Sequence, residues 1–139
     1  MKIAQVISSC APGGAEIFVK DLSKELVRAG QNVEVWVLTR VQDITPNNER
    51  LLEFEKNFMD DLKTSGINVR FVVKRPRKDR IKTKRKLRSF FNDFKPDIVH
   101  SHLEDVTFHV CVSLSRKVPI VQTIHNVVIS HPYVQKFYL

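Results

Sequence analysis

Five short apolar runs alternate with four longer amphipathic stretches along this 139-residue chain, and few folds accept that order. Lys2 to Ser8 carries Ile3, Ala4, Val6 and Ile7, the near-continuous apolar pattern of a strand buried on both faces. Ala15 to Ala29 follows with Phe18, Val19, Leu22, Leu26 and Ala29 at helical spacing, and Gly30 stands at the C-cap. Val33 to Leu38 is the second strand. A looser segment, Thr39 to Asn47, leads to a helix from about Asn48 to Ser65, built on Leu51, Leu52, Phe54, Phe58 and Leu62 and stopped by Gly66. Ile67 to Val73 gives a third strand. Arg80 to Phe94 gives a third helix, broken by Pro96, and Asp97 to Ser101 a fourth strand. Asp105 to Arg116 is the fourth helix, and Pro119 opens a fifth strand, Ile120 to Ile124. The tail after His125 is apolar and aromatic, with a further helix start near Pro132.

Strands separated by helices pair in parallel through right-handed crossovers. The expected fold is an α/β doubly wound parallel sheet, Rossmann-like, with strand order 3-2-1-4-5. Strands one and four are then neighbours whose connections leave in opposite directions, and such sheets bind ligands in the crevice at the carboxyl ends of those strands. Strand one ends at Gly13-Gly14, strand four at His100-Ser101-His102 and strand five at Thr123-Ile124-His125. Three separate features converge on one edge of the sheet.

Each feature has its own chemistry. Two glycines between a buried strand and a helix allow a tight turn with uncovered N–H groups, and the helix dipole points at the same spot. The pair is not a full dinucleotide fingerprint, because no third glycine follows, and the Walker lysine is missing as well. A phosphate or a sugar against bare backbone is the expected ligand. His100 and His102 are two apart and share a strand face. A metal would need a third ligand, the two histidines alone do not define a metal pattern, and no metal is expected. One of the two is expected to pack at the strand end on neighbouring backbone, with His102 a candidate for substrate contact. His125 is the catalytic candidate: a histidine leaving the fifth strand can donate to a substrate hydroxyl or take its proton near neutral pH. His109 and His131 receive no functional role.

Composition sets the outer limits. Apolar residues make up 42% and charged residues 27%, ordinary for a globular domain, and the length suits one core. Cys10 and Cys111 form neither a disulfide framework nor a zinc pattern, so a reducing cytoplasm is the expected compartment. The apolar run Ile3 to Ile7 is too short for a signal peptide, and no stretch approaches the roughly 20 apolar residues that span a bilayer.

The net charge of +8 is concentrated in one place. Between Arg70 and Arg88 stand Arg70, Lys74, Arg75, Arg77, Lys78, Arg80, Lys82, Lys84, Arg85, Lys86 and Arg88, with Asp79 the only acid. Such a run suits an anionic membrane or acceptor, at about 1 kcal/mol for each cation near a charged surface. A solvated face ranks second. Nucleic acid ranks third, because Phe90 and Phe91 sit at core spacing and offer no stacking platform.

The motifs together resemble the start of family 4 glycosyltransferases. The similar segments are Lys-Ile-Ala-Gln-Val-Ile, Gly13-Gly14-Ala15-Glu16, Ala29-Gly30-Gln31-Asn32-Val33-Glu34-Val35, Lys95 to His102 and Pro119 to His125. They run in the family's order and cover nearly the whole chain. The resemblance implies the amino-terminal, acceptor-side domain of a GT-B enzyme, which moves a sugar from a nucleotide-sugar donor with retention of anomeric configuration. The glycine loop of the family approaches the donor diphosphate and sugar, a role that falls here on Gly13 and Gly14 with Ala15 and Glu16 at the helix start. The histidine after the fifth strand, His125 here, lies near the transferred sugar and the acceptor. Family members generally work without a bound metal or other cofactor.

The family's carboxy-terminal nucleotide-sugar domain, with two glutamates separated by seven residues, has no counterpart in this sequence. Residues 1–139 therefore read as an incomplete amino-terminal domain, inactive alone. The implied acceptor is a glycan or a lipid-linked sugar in cell-surface polysaccharide or glycolipid synthesis, at the cytoplasmic face of a membrane. The alternative is a non-catalytic basic module for anionic membrane or nucleic acid.

Overall fold

The computed structural model describes residues 1–72 and 79–125. Strands β1 (Lys2–Ile7), β2 (Asn32–Val37), β3 (Asn68–Phe71), β4 (Ile98–His102) and β5 (Ile120–Thr123) form one parallel sheet in the order β3-β2-β1-β4-β5. Helices α1 (Gly14–Arg28), α2 (Val41–Ile44), α3 (Glu49–Thr64), α4 (Arg80–Phe94) and α5 (Glu104–Leu114) fill the connections. The expected α/β architecture and strand order are those observed.

Both faces of the sheet are covered, which is why its strands read as apolar runs. Ala4, Val6, Trp36, Leu38 and Val99 face α4 and α5 and pack on Leu87, Phe90, Val106, Val110 and Leu114. Their alternates Ile3, Ile7, Val33, Val35 and Val37 face α1 and α3 and pack on Val19, Phe58 and Leu62. Pleating fixes this division, since successive side chains point to opposite faces.

Helix ends follow glycine chemistry. Gly30 and Gly66 have φ of +81° and +77°, a region costly for residues with a Cβ. At the first, the N–H of Gly30 bonds to the Val27 carbonyl and that of Gln31 to the Leu26 carbonyl. The same pair of bonds recurs from Gly66 to Lys63 and from Ile67 to Leu62. Both are Schellman closures, with glycine one position beyond the cap.

Three boundaries differ by more than one residue from the sequence reading. The segment 39–47 contains a single helical turn, α2, whose first N–H (Val41) is held by the buried Glu55 carboxylate at 3.0 Å. The fourth helix stops at Leu114, and Arg116 follows with φ of +69°. β3 spans four residues because its pairing with β2 covers only Asn68 to Phe71. Lys74, Arg75, Arg77 and Lys78, and the helix start near Pro132, lie outside the described residues. No helix among the described residues is long and apolar enough to cross a membrane.

Candidate functional site

Gly13 is the N-cap of α1, in extended conformation at φ −164°. Any residue adopts that backbone, so its need for glycine is spatial. A Cβ at Gly13 would stand 2.4 Å from Glu16 Oε2. Glu16, the third helical residue, folds its carboxylate back toward the cap. Burial raises the pKa of Glu16, while a bond to its own backbone N–H and the neighbouring His125 pull the other way. The first intrahelical bond runs from the Ile17 N–H to the Gly13 carbonyl at 3.2 Å. The N–H groups of Gly14 and Ala15 thus have no intrahelical acceptor and stand at the positive end of the helix. Gly14 is exposed and Ala15 half-buried.

β4 contributes two histidines to the face that α1 covers. Register places His100 beside Gln5 of β1 on one side and Val121 of β5 on the other. His100 Nε2 meets Thr123 Oγ1 at 2.7 Å, and its ring lies 4.1 Å from that of His102. His102 is fully buried. Its Nε2 meets Gln5 Oε1 at 2.7 Å and its Nδ1 meets His125 Nε2 at 3.1 Å. The pKa of His102 is pushed down to about 3, first by burial and then by repulsion from His100 and His125. Burial, followed by His125, lowers that of His100. Both rings are neutral near pH 7.

His125 itself is half-buried, just past β5. Phe18 of α1 sets the edge of the pair, with ring centroids 5.4 Å from His125 and 6.0 Å from His102. At 45% exposure Phe18 also presents an apolar surface outward. The glycine turn, Glu16 and His125 are therefore brought to one place, as the topology required.

The sequence reading needs two corrections here. The histidines of β4 are held by side chains (Gln5, Thr123 and His125) and not by neighbouring backbone. His102 spends both ring nitrogens on protein partners, so it underlies His125 instead of standing beside it. Two contributors were missed: Phe18, counted as core, and Gln5. Gln5 had a visible signal, as the one polar residue inside an otherwise apolar run.

The basic run is divided. Arg80, Lys82, Arg85, Lys86 and Arg88 are exposed on α4 and Lys84 is half-buried. Arg70 is committed to the fold: it bonds Asp93 at 2.8 Å, lies 3.8 Å from Glu34 and stacks 4.0 Å over Phe90. Among the described residues no three His, Cys, Asp or Glu side chains converge as metal ligands.

Known proteins share this framework. A glycosyltransferase from Rickettsia africae ESF-5 superposes with a TM-score of 0.71 at 14% identity, over 99% of this chain and 33% of its own. The UDP-GlcNAc 2-epimerase of Neisseria meningitidis, solved with UDP-GlcNAc bound, gives 0.61 at 18% identity, over 88% of this chain and 32% of its own. A deacetylase of the teicoplanin biosynthesis pathway gives 0.60 at 13% identity, over 86% and 68%. At these identities the likeness shows the fold alone, and the chain spans about a third of the length of the first two proteins. None of the curated proteins matches the sequence. Residues 12–139 match Glycosyltransferase Family 4, and the chain belongs to that family.

Proposed function

We propose that this chain forms the acceptor-side half of a retaining GT-B glycosyltransferase, facing a nucleotide-sugar donor across the carboxyl edge of its sheet. The observation that carries the reading is the meeting of the bare α1 N-terminus with His125 at the β1/β4 reversal of strand order. The donor diphosphate lies at the N–H groups of Gly14 and Ala15, where fixed dipoles stabilise the charge that develops on the leaving group. His125 hydrogen-bonds a hydroxyl of the transferred sugar or of the acceptor. Glu16 borders the same space beside His125. A UDP-sugar in the structurally similar epimerase supports a nucleotide-sugar as ligand.

Most nucleotide contacts belong to a second domain, so residues 1–139 alone transfer no sugar. The test incubates the protein containing both domains, and separately these 139 residues, with a panel of nucleotide sugars and lipid-linked or free glycans. Transfer with retained anomeric configuration by the two-domain protein only is the expected result. Transfer by the 139 residues alone, or an inverted product, overturns the reading.

A specific observation favours peripheral membrane contact by the same protein. α4 has no acid in its first turn, and its cations crowd the end where the helix dipole disfavours them. Ile81 stands among them at 69% exposure. That arrangement suits an anionic surface, with a lipid-linked acceptor at the cytoplasmic face. Co-sedimentation with anionic liposomes that falls with salt is expected; equal, salt-insensitive binding to neutral liposomes excludes it. Salt-dependent binding to nucleic acid alone would favour the non-catalytic alternative.

A further inference from the structure

The strongest unexplained group in the molecule is Gln5, a fully buried amide at the centre of the sheet. Burying an amide is costly unless it serves a hydrogen bond, and an apolar residue would continue the β1 pattern. Its Oε1 accepts hydrogen bonds only, so the 2.7 Å contact requires His102 to carry its proton on Nε2. A neutral His102 then has a lone pair on Nδ1. The 3.1 Å contact on that side requires His125 to donate its Nε2–H. His125 is left with Nδ1, which has no hydrogen-bond partner among the described residues; the Glu16 carboxylate lies near enough to interact with the ring electrostatically.

From this order of donors and acceptors we infer that Gln5 and His102 are positioning residues that fix the tautomer and tilt of His125, presenting its Nδ1 to the crevice. The rest of the surroundings supports a fixed arrangement. Thr123 occupies His100 Nε2, so the ring stacked on His102 is itself held. Phe18 closes edge-on against both His102 and His125 and restricts their tilt. The low pKa of His102 keeps it from taking a second proton, which would turn its Nδ1 from acceptor to donor and break the contact. Which nitrogen of a histidine does chemistry is set by the bond the other makes. A neutral His125 held in this way offers Nδ1 as acceptor to a hydroxyl proton. This inference rests on the proposed role of His125 at the transfer site.

The test is nuclear magnetic resonance on the 139-residue chain with 15N-labelled histidine at neutral pH. Long-range proton–nitrogen spectra report each tautomer, and scalar coupling across an N–H···N bond reports the His102–His125 contact directly. The wild-type chain is expected to show His102 protonated on Nε2, His125 protonated on Nε2, and coupling from His125 Nε2 to His102 Nδ1. His102 protonated on Nδ1, or absence of the coupling, overturns the inference without any variant. Gln5→Met keeps the volume and removes the acceptor. It is expected to give His102 as a mixture of tautomers and to move the ring signals of His125. Unchanged signals in a folded Gln5→Met chain also overturn it. In the two-domain enzyme the same variant is expected to lower kcat roughly tenfold or more with little change in donor KM, since misplacing a reacting group costs rate. The two readings fail separately. A correct tautomer order in a protein without transferase activity removes the proposed function, whereas an active enzyme with the opposite tautomers removes this inference alone.

Discussion

Acidification should reveal His102 as a built-in liability of the fold. An unfolded histidine titrates near 6.5, while His102 is held down to about 3. Above pH 6.5 the ring is neutral in both states and costs nothing. Between the two values the unfolded chain binds a proton that the folded chain refuses, so stability falls by about 1.4 kcal/mol per pH unit. From pH 7 to 4.5 the loss from this one ring is about 3 kcal/mol, a large share of the roughly 5–15 kcal/mol of a typical domain. His100 acts in the same direction. Glu16 acts in the opposite one, because a carboxyl with a raised pKa adds stability as pH falls through it. The lowered pKa of Asp61, next to Lys24 and Lys20, is lost only below the ordinary carboxylate range. A difference measurement isolates His102 from these groups. His102→Gln keeps a polar side chain on Gln5 and His125 but does not titrate. Urea unfolding can be followed by Trp36, the single tryptophan, which is fully buried. His102→Gln starts less stable at pH 7, and the gap to wild type is expected to close by about 3 kcal/mol at pH 4.5. Parallel stability curves for the two proteins would refute the argument.

Other outcomes follow from the turn and helix ends. Gly13→Ala meets only the far end of the flexible Glu16 side chain, so it should cost less than about 1 kcal/mol in chemical denaturation. The same change should return the Glu16 pKa toward the ordinary value, read by carboxyl carbon titration, because the carboxylate is displaced into solvent. Gly66→Ala, at φ +77°, should instead cost about 1–2 kcal/mol by the same denaturation assay. Reversing Lys82, Arg85 and Lys86 together to glutamate should abolish sedimentation with anionic liposomes and leave the melting temperature nearly unchanged, since all three are exposed.

The sheet was legible in the sequence because burial on both faces leaves apolar runs and the helices between them leave periodic stripes. Strand order followed from connection rules, and Gly30 and Gly66 marked two helix ends. What periodicity lacks is register. The bond between Gln5 and His102 depends on β1 lying against β4 with Gln5 opposite His100, and nothing local to either strand states that offset. Phe18 fits the apolar stripe of α1, and only the way the first turn of that helix meets the ends of β4 and β5 turns its ring toward two histidines. Arg70 reads as part of a charge run by sequence, yet Asp93, Glu34 and Phe90 claim it through tertiary contacts. The single turn of α2 is held by Glu55, fourteen residues from its partner Val41, beyond the reach of any local pattern.

The most direct test of the account removes His125 from the protein that carries the proposed second domain. Release of nucleoside diphosphate from the nucleotide sugar that serves as donor is measured for wild type and for His125→Ala, with binding of that donor checked in parallel. The account predicts a fall in turnover of about 100-fold or more, the range for loss of a positioned acid–base group, with the donor still bound. Full turnover by His125→Ala would contradict it.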